Sequence, residues 1–530
     1  MQKQPARLWI TALFLGWFFD FLFFNHTPGV SFAIYAAATL AGGFILLWLD
    51  GIRPARATLL LIPFILFFIA ITFIRLEPLS VFLAHIISLF LMAGLAVTYQ
   101  GGQWLRYSVA DYFARAMDLF ASLVIRPIKF MAAHPGSQGE AGVVQKPAFR
   151  IWPILRGLLL AIPIVAFFAA LLASADLVFA QRLNDITTLF RLENLSEYLF
   201  RFAYILVIAY VLIGVYLHAA ERSTDKKLLS LEKPFLTPFF GFTEASIVLG
   251  SVVLLFAAFV IIQFQYFFGG QANINLTGFT YAEYARKGFG ELVTVAFFAL
   301  LLFLGLTAIT MRGTTTRQKI FSGLGLALLA LVAIMLVSAY QRLVLYENAY
   351  GFTRLRAYTH VFMVWVAVLL AVVVLLDLLN RQRVFALAAL MASLGFGISL
   401  MLLNVDTFIF QRNLARFEQG QSLDVGYLAT LSPDATPAMV TAYETPGLNS
   451  DTRDRLGALL TCIHFQDKNN NPNPDQSWQS FHFSNYWAGN SMQRVTASLA
   501  AYQVDASSWP VTVTTPLKAK YACSSSNVIG

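Results

Sequence analysis

Uninterrupted apolar runs recur along this chain, each long enough to cross the ~30 Å hydrocarbon layer of a bilayer as a helix. They lie at 8–24, 30–49, 57–74, 79–98, 152–173, 200–218, 244–268, 289–311, 320–340, 358–379 and 384–403. A segment in lipid must satisfy its own backbone hydrogen bonds, and for a single run only a helix does so. The expected fold class is therefore all-α: a polytopic membrane helix bundle of about eleven transmembrane helices, followed by a small, mostly helical C-terminal extracytoplasmic domain. Composition agrees, because only 12% of the residues are charged, against roughly 25% in soluble domains. Lys3, Arg7 and the run behind them imitate a secretion signal. The segment Asn25-His26-Thr27-Pro28-Gly29 offers no small-x-small cleavage site, and Asp20 interrupts the run, so we read it as a retained first helix.

Basic residues set the expected orientation. With the N-terminus in the cytoplasm, the inner connections hold about twice as many Arg and Lys as the outer ones, the bias that cytoplasmic loops show. An odd number of crossings then places the C-terminus outside. The expected division is 1–403 as the helix bundle, with a cytoplasmic interfacial helix and linker at about 103–147, and 404–530 as the extracytoplasmic domain. Within 99–151, Leu105, Val109, Tyr112, Phe113, Ala116, Met117, Phe120, Leu123 and Val124 recur at helical spacing. Arg106, Asp111, Arg115, Asp118 and Ser122 lie between them. That pattern fits an amphipathic helix on the anionic cytoplasmic leaflet, or one packed on the bundle. The net charge of +9 is accordingly read as a partner for lipid and not for nucleic acid.

After 403 the polar residues rise and no long apolar run remains. Helix starts are expected at Ser432-Pro433-Asp434 and Ser450-Asp451, a helix over 486–502, and extended chain within 509–523. Cys462 and Cys523 are candidates for a disulfide if their segment meets an oxidising compartment. Asp467, Asn469, Asn471, Asn473 and Asp475 alternate as in a calcium loop, but Pro472 and Trp478 stand where Gly and Glu are needed, so a solvated turn is expected there.

Three blocks stand out in the connections: Thr280–Phe289 with Glu291-Leu292, Leu345–Arg356, and Asn404-Val405-Asp406 through Asn413 to Tyr427–Ala435. With Phe19-Asp20 and Pro28-Gly29-Val30-Ser31, they resemble the bacterial multi-pass membrane family catalogued as domain of unknown function 4173. The resemblance runs to about residue 440. It implies a bacterial cell (inner) membrane protein, and it carries no activity, ligand or catalytic residue with it.

Ionisable groups beside hydrocarbon are costly unless paired or wetted. The expected topology gathers Asp20, Glu283, Arg286, Lys287, Glu291, Arg342, Glu347, Arg354, Arg356, Asn404 and Asp406 at the outer ends of the helices. We expect a polar cluster held by Arg–carboxylate pairs. Such a cluster either locks helix ends and seats the outer domain, or lines an outward pocket. His85 is expected to hydrogen-bond a neighbouring helix, and Gln263 and Gln265 either to do the same or to sit at the membrane interface. Pro63 and Pro163 stand inside spans, without the matched broken segments of a carrier. No nucleotide, zinc-hydrolase or serine-hydrolase motif is present in the sequence, and no cofactor or metal is expected. The leading expectation is a non-enzymatic sensing or assembly protein with an envelope protein or peptide partner. A transporter or channel with an outward-facing polar cavity is the second reading. A membrane enzyme acting on envelope or lipid-linked substrates, with Glu283, Glu347 and Asp406 as its carboxylates, is the third.

Overall fold

The computed structural model describes residues 5–133, 195–223, 238–268, 289–311, 313–379, 381–470, 477–507 and 509–524, with isolated positions between 165 and 181. Among them, ten helices are long and apolar enough to cross a membrane. The chain is an all-α polytopic membrane helix bundle with a small sheet near its C-terminus. The spans begin with α1 (Pro5–Phe23) and α2 (Val30–Leu49). The third is built of α3 (Arg56–Leu59) and α4 (Leu61–Ile74), and the fourth is α5 (Pro78–Thr98). After α6 (Val109–Ala133) come α7 (Leu195–Glu221), α8 (Phe242–Phe268) and α9 (Phe289–Ile309). The last three spans are α10 (Thr315–Tyr350), α11 (Arg354–Leu378) and α12 (Phe385–Leu403). The run expected at 152–173, and Pro163 with it, falls outside the described residues, as does the linker 134–147.

The run expected as one helix at 57–74 is interrupted at Leu60. Pro63 explains the break: it lies in the first turn of α4 and has no N–H to bond back to the preceding turn. The 36-residue α10 extends beyond its expected span at both ends. A 3-10 turn at Gln103–Arg106 precedes α6, which continues through Pro127.

Beyond α12 the chain forms α13 (Val405–Glu418), the short α14 (Val425–Leu428) and α15 (Thr436–Glu444). Next come α16 (Ser450–Asn470), α17 (Phe483–Leu499) and the strands β1 (Gln503–Asp505), β2 (Thr512–Thr514) and β3 (Lys520–Ala522). The strands make an antiparallel sheet in the order β1-β2-β3, with Val504 opposite Val513 and Val513 opposite Tyr521. Val513 is fully buried. The sulfurs of Cys462 on α16 and Cys523 just past β3 are bonded, which ties the sheet to the helix. The turn expected from Asp467 is corrected in part: α16 runs through Asp467 and Asn469 as far as Asn470, and 471–476 lie outside the described residues.

The chain divides into two compact units, residues 1–24 with 120–218 and residues 25–119 with 219–530. In the second, α12 ends at Leu403, and Asn404, at φ 50°, turns the chain into α13. The hydrophobic core does not stop at that turn. Ala357 of α11 and Leu400 of α12 belong to one buried cluster with Val405, Ile409, Phe410, Leu428, Met439, Leu459 and Val513, and Leu79, Leu83 and Val361 pack against it. A second cluster joins α8, α9, α10 and α11.

Small residues let spans approach closely, which matters where lipid gives helices no hydrophobic reason to associate. The Trp365 indole of α11 lies across Gly395 of α12 and donates to Ser399 Oγ at 3.0 Å. A Cβ at Gly395 would overlap that indole, whereas one at Gly250 in α8 meets nothing within 4 Å. Gly395→Ala should therefore destabilise the detergent-solubilised protein by about 1–3 kcal/mol of overpacking. Gly250→Ala should be neutral, or gain up to about 1 kcal/mol of helix propensity. Thermal unfolding of the two variants side by side checks this, and equal midpoints would contradict it.

Candidate functional site

A closed ring of hydrogen bonds forms in the second unit where α4 ends, α5 and α11 begin, and α13 succeeds α12. Its strongest link is Arg354 with Asp406. Arg354 donates from Nε to Oδ1 at 2.8 Å and from Nη2 to Oδ2 at 2.6 Å. The Asp406 side chain is 0% exposed and that of Arg354 is 25% exposed. This bidentate geometry is the one a guanidinium fork makes best with a carboxylate.

From there the ring passes through the segment between α14 and α15. The backbone N–H of Ser432 donates to Asp406 Oδ2 at 2.7 Å, and Arg354 Nη2 also donates to the Thr430 carbonyl at 3.1 Å. The Ser432 hydroxyl donates to Asp434 Oδ2 at 3.3 Å. The same Asp434 oxygen accepts from the backbone N–H groups of Leu76 and Glu77 at 2.9 and 2.8 Å. Glu77 caps α5, accepting from Leu79 N–H at 3.0 Å and Ser80 N–H at 2.8 Å, with Pro78 behind it at the first helical position. That Pro has no N–H to leave unsatisfied. Tyr358, one turn along α11 from Arg354, donates its hydroxyl to Glu77 and closes the ring. Thr407 adds a bond to the Asp434 carbonyl at 2.9 Å. Tyr427 accepts from the Arg354 backbone N–H at 2.9 Å, and burial pushes its phenol up, so the hydroxyl stays protonated.

A second bracket joins the turn after α10 to α13. Asn413 accepts from Phe352 N–H and donates to the Phe352 carbonyl, both at 2.9 Å, and Arg416 donates to the Asn348 carbonyl at 2.7 Å. Gly351 sits between them at φ 83°, where a Cβ would come within 2.6 Å of Asn413 Oδ1. Arg356 donates to the Gly351 carbonyl and lies 4.0 Å over the Tyr346 ring.

The expected cluster is thus only partly assembled as expected. Arg354 and Asp406 meet. Glu347 is buried in α10 and pairs with His360 Nε2 at 2.6 Å, with the Tyr340 ring edge-on to the imidazole; its other oxygen, Oε1, is buried without a hydrogen bond. Arg342 is buried in α10. Asn404 holds the α12–α13 turn with its Oδ1 buried and unbonded. Glu291 is exposed in the first turn of α9, where the helix dipole favours a carboxylate. Glu283, Arg286 and Lys287 lie outside the described residues. Asp20 does not join the ring: in the first unit it accepts from Arg201 Nη2 at 2.6 Å and from the Tyr204 hydroxyl.

His85 bonds the Val81 carbonyl of its own helix at 2.8 Å, which corrects the expected cross-helix bond, and Gln263 Nε2 is buried without a partner. Sequence reasoning missed Glu77, Tyr358, Ser432 and Asp434 as members of the ring. For Glu77 the Glu-Pro pair at a helix start was a readable signal.

Two elongated cavities run along the spans of the second unit. One, of about 430 Å³, lies between α10 and α11, and the other, of about 720 Å³, between α8 and α9; both are lined by largely apolar side chains. Among the described residues, no cluster of three or more His, Cys, Asp or Glu could hold a metal ion.

A family model described as Domain of unknown function (DUF4153) matches residues 61–442. The chain belongs to that family. This corrects the resemblance to family 4173 drawn from the sequence blocks. Both are multi-pass membrane families. The ring and the bracket both fall inside the stretch that DUF4153 matches. No curated protein and no solved structure matches the chain.

Removing one partner of a buried ion pair strands the other without compensation, at about 3–5 kcal/mol. Asp406→Ala should therefore lower stability by about 3 kcal/mol. Arg354→Met should lose at least as much, because it strands the wholly enclosed Asp406, whereas water reaches part of the guanidinium that Asp406→Ala leaves behind. The combined Arg354→Met/Asp406→Leu variant should lose clearly less than the two single changes together. Unfolding in detergent measures all three, and strictly additive losses would remove the pair from the account.

Proposed function

We propose that this DUF4153 member is a non-enzymatic protein of the bacterial cell membrane that holds residues 404–530 rigidly at the extracytoplasmic face for sensing or assembly. The observation that carries the reading is that the ring is consumed by the protein itself. Asp406 accepts from Arg354 twice and from Ser432. Glu77 accepts from Leu79, Ser80 and Tyr358, and Asp434 from Leu76, Glu77 and Ser432. Carboxylates so engaged have little capacity left for a substrate. What they do accomplish is to fasten the start of the C-terminal segment to the ends of three spans.

The orientation rests on the distribution of Arg and Lys, which favours a cytoplasmic N-terminus. The disulfide between Cys462 and Cys523 supports the same sidedness, because such bonds persist in oxidising compartments. On the opposite leaflet, α6 offers a lipid-facing stripe: Val109, Phe113, Met117, Phe120, Val124 and Ile128 are all exposed at helical spacing. That stripe suits an interfacial helix on anionic cytoplasmic lipid. The partner of 404–530 is an envelope protein or peptide.

Two measurements in intact cells test the reading. Alkaline phosphatase fused after Gly530 should be active, and photo-crosslinkers at exposed positions such as Ser450 and Lys520 should trap an envelope protein. An inactive phosphatase would reverse the sidedness. An active phosphatase with no adduct at any exposed position would remove the displayed-partner role while leaving the topology standing.

A further inference from the structure

From Ser477 to Gln493 the chain carries no Asp, Glu, Lys or Arg. The same stretch exposes large aromatic side chains: Trp478 is 51% exposed, Phe481 36%, Tyr486 54% and Trp487 46%. His482 adds no charge near neutrality, since burial holds its imidazole below the usual range. An uncharged surface of Trp, Tyr and Phe is the composition found where membrane proteins meet the headgroup region, because one end of such rings is apolar and the other prefers water.

Independent contacts fix the depth of this surface. The Val30 N–H, at the start of the span α2, donates to the Phe481 carbonyl at 3.0 Å. Ser480 donates to the Thr27 carbonyl at 2.9 Å, and His26 Nδ1 lies 2.9 Å from Ser477 Oγ. The approach is backbone against backbone: a Cβ on Gly29 would come within 2.7 Å of the Ser480 carbonyl carbon. On the other side, Phe73 in the last turn of α4 packs on Phe483 at 5.8 Å, and Phe483 stacks on Trp487 at 5.4 Å. The surface is therefore pinned where the span α2 begins and the span α4 ends.

We propose that Trp478, Phe481, Tyr486 and Trp487 form an interfacial anchor that inserts into the headgroup–acyl boundary of the leaflet at which α2 begins and α4 ends. The ligand is the bilayer interface itself, recognised through aromatic rings and not through charge. The anchor gives the C-terminal segment a second attachment, independent of the buried ring and of any envelope partner.

The test uses the full chain in phosphatidylcholine vesicles. Both native cysteines are bonded to each other, so an introduced cysteine is the one thiol that labels. Bimane is placed at Trp487→Cys and, in a separate variant, at Tyr486→Cys; Leu517→Cys, 58% exposed on the β2–β3 connection, serves as the comparison. A lipid spin-labelled near its headgroup should quench the labels at 486 and 487 several-fold more than it quenches the label at 517, and aqueous iodide should show the reverse order. Labels at 486 and 487 that iodide reaches as readily as the one at 517, with no quenching by lipid, would place this surface in water and overturn the proposal. Labels shielded from both quenchers would mean that protein covers it, which overturns the proposal equally.

Discussion

A guanidinium and a carboxylate held together away from water govern how this chain joins its membrane helices to its C-terminal segment. Asp406 is wholly enclosed, and an enclosed charge is tolerated only where it is paired and its remaining lone pairs are filled. Arg354 supplies the charge and the Ser432 backbone fills a further site. Because Ser432 also reaches Asp434, and Asp434 reaches the turn before α5, one electrostatic requirement fixes several pieces of chain at once. Apolar packing would hold these pieces together without specifying their register; directional bonds specify it.

The surrounding core makes the ring worth having. Leu79, Leu83 and Val361 from the spans pack against the cluster that includes Ile409, Phe410 and Leu459. Burial there excludes water, which strengthens each bond in the ring and raises the penalty for leaving any member unmatched. Further along, the disulfide from Cys462 to Cys523 secures the small sheet whose central Val513 is fully buried. Strands of three residues are too short to stand unsupported.

The spans were legible because the requirement that produces them is local. An apolar run of about twenty residues has essentially one solution in lipid, so α2 occupies 30–49 just as its composition implies. Where local rules compete, the reading slipped. Pro63 marked a span, but not the break that its missing N–H opens at Leu60. At the site, Arg354 and Asp406 could be nominated because charge beside a span is conspicuous. Their partners could not. Tyr358 reads as an ordinary aromatic in an apolar helix, and Ser432 acts through its backbone, which carries no sequence signature. Glu77 and Asp434 are 357 residues apart, and no pattern in a single sequence brings them together. The blocks that suggested a family pointed to the correct kind of protein and the wrong family, since aromatic and basic residues at span ends answer to the membrane before they answer to ancestry.

Amide hydrogen exchange on the reconstituted full chain carrying Asp406→Asn addresses the coupling most directly. Leu76 and Glu77 donate to Asp434 and not to Asp406, so they sense the substitution only through the ring. If the ring acts as one unit, their amides should exchange about tenfold faster than in the unaltered protein, together with those across 404–435. Acceleration confined to Ser432, with Leu76 and Glu77 unchanged, would show that these bonds act separately and that no single seat joins the C-terminal segment to the bundle.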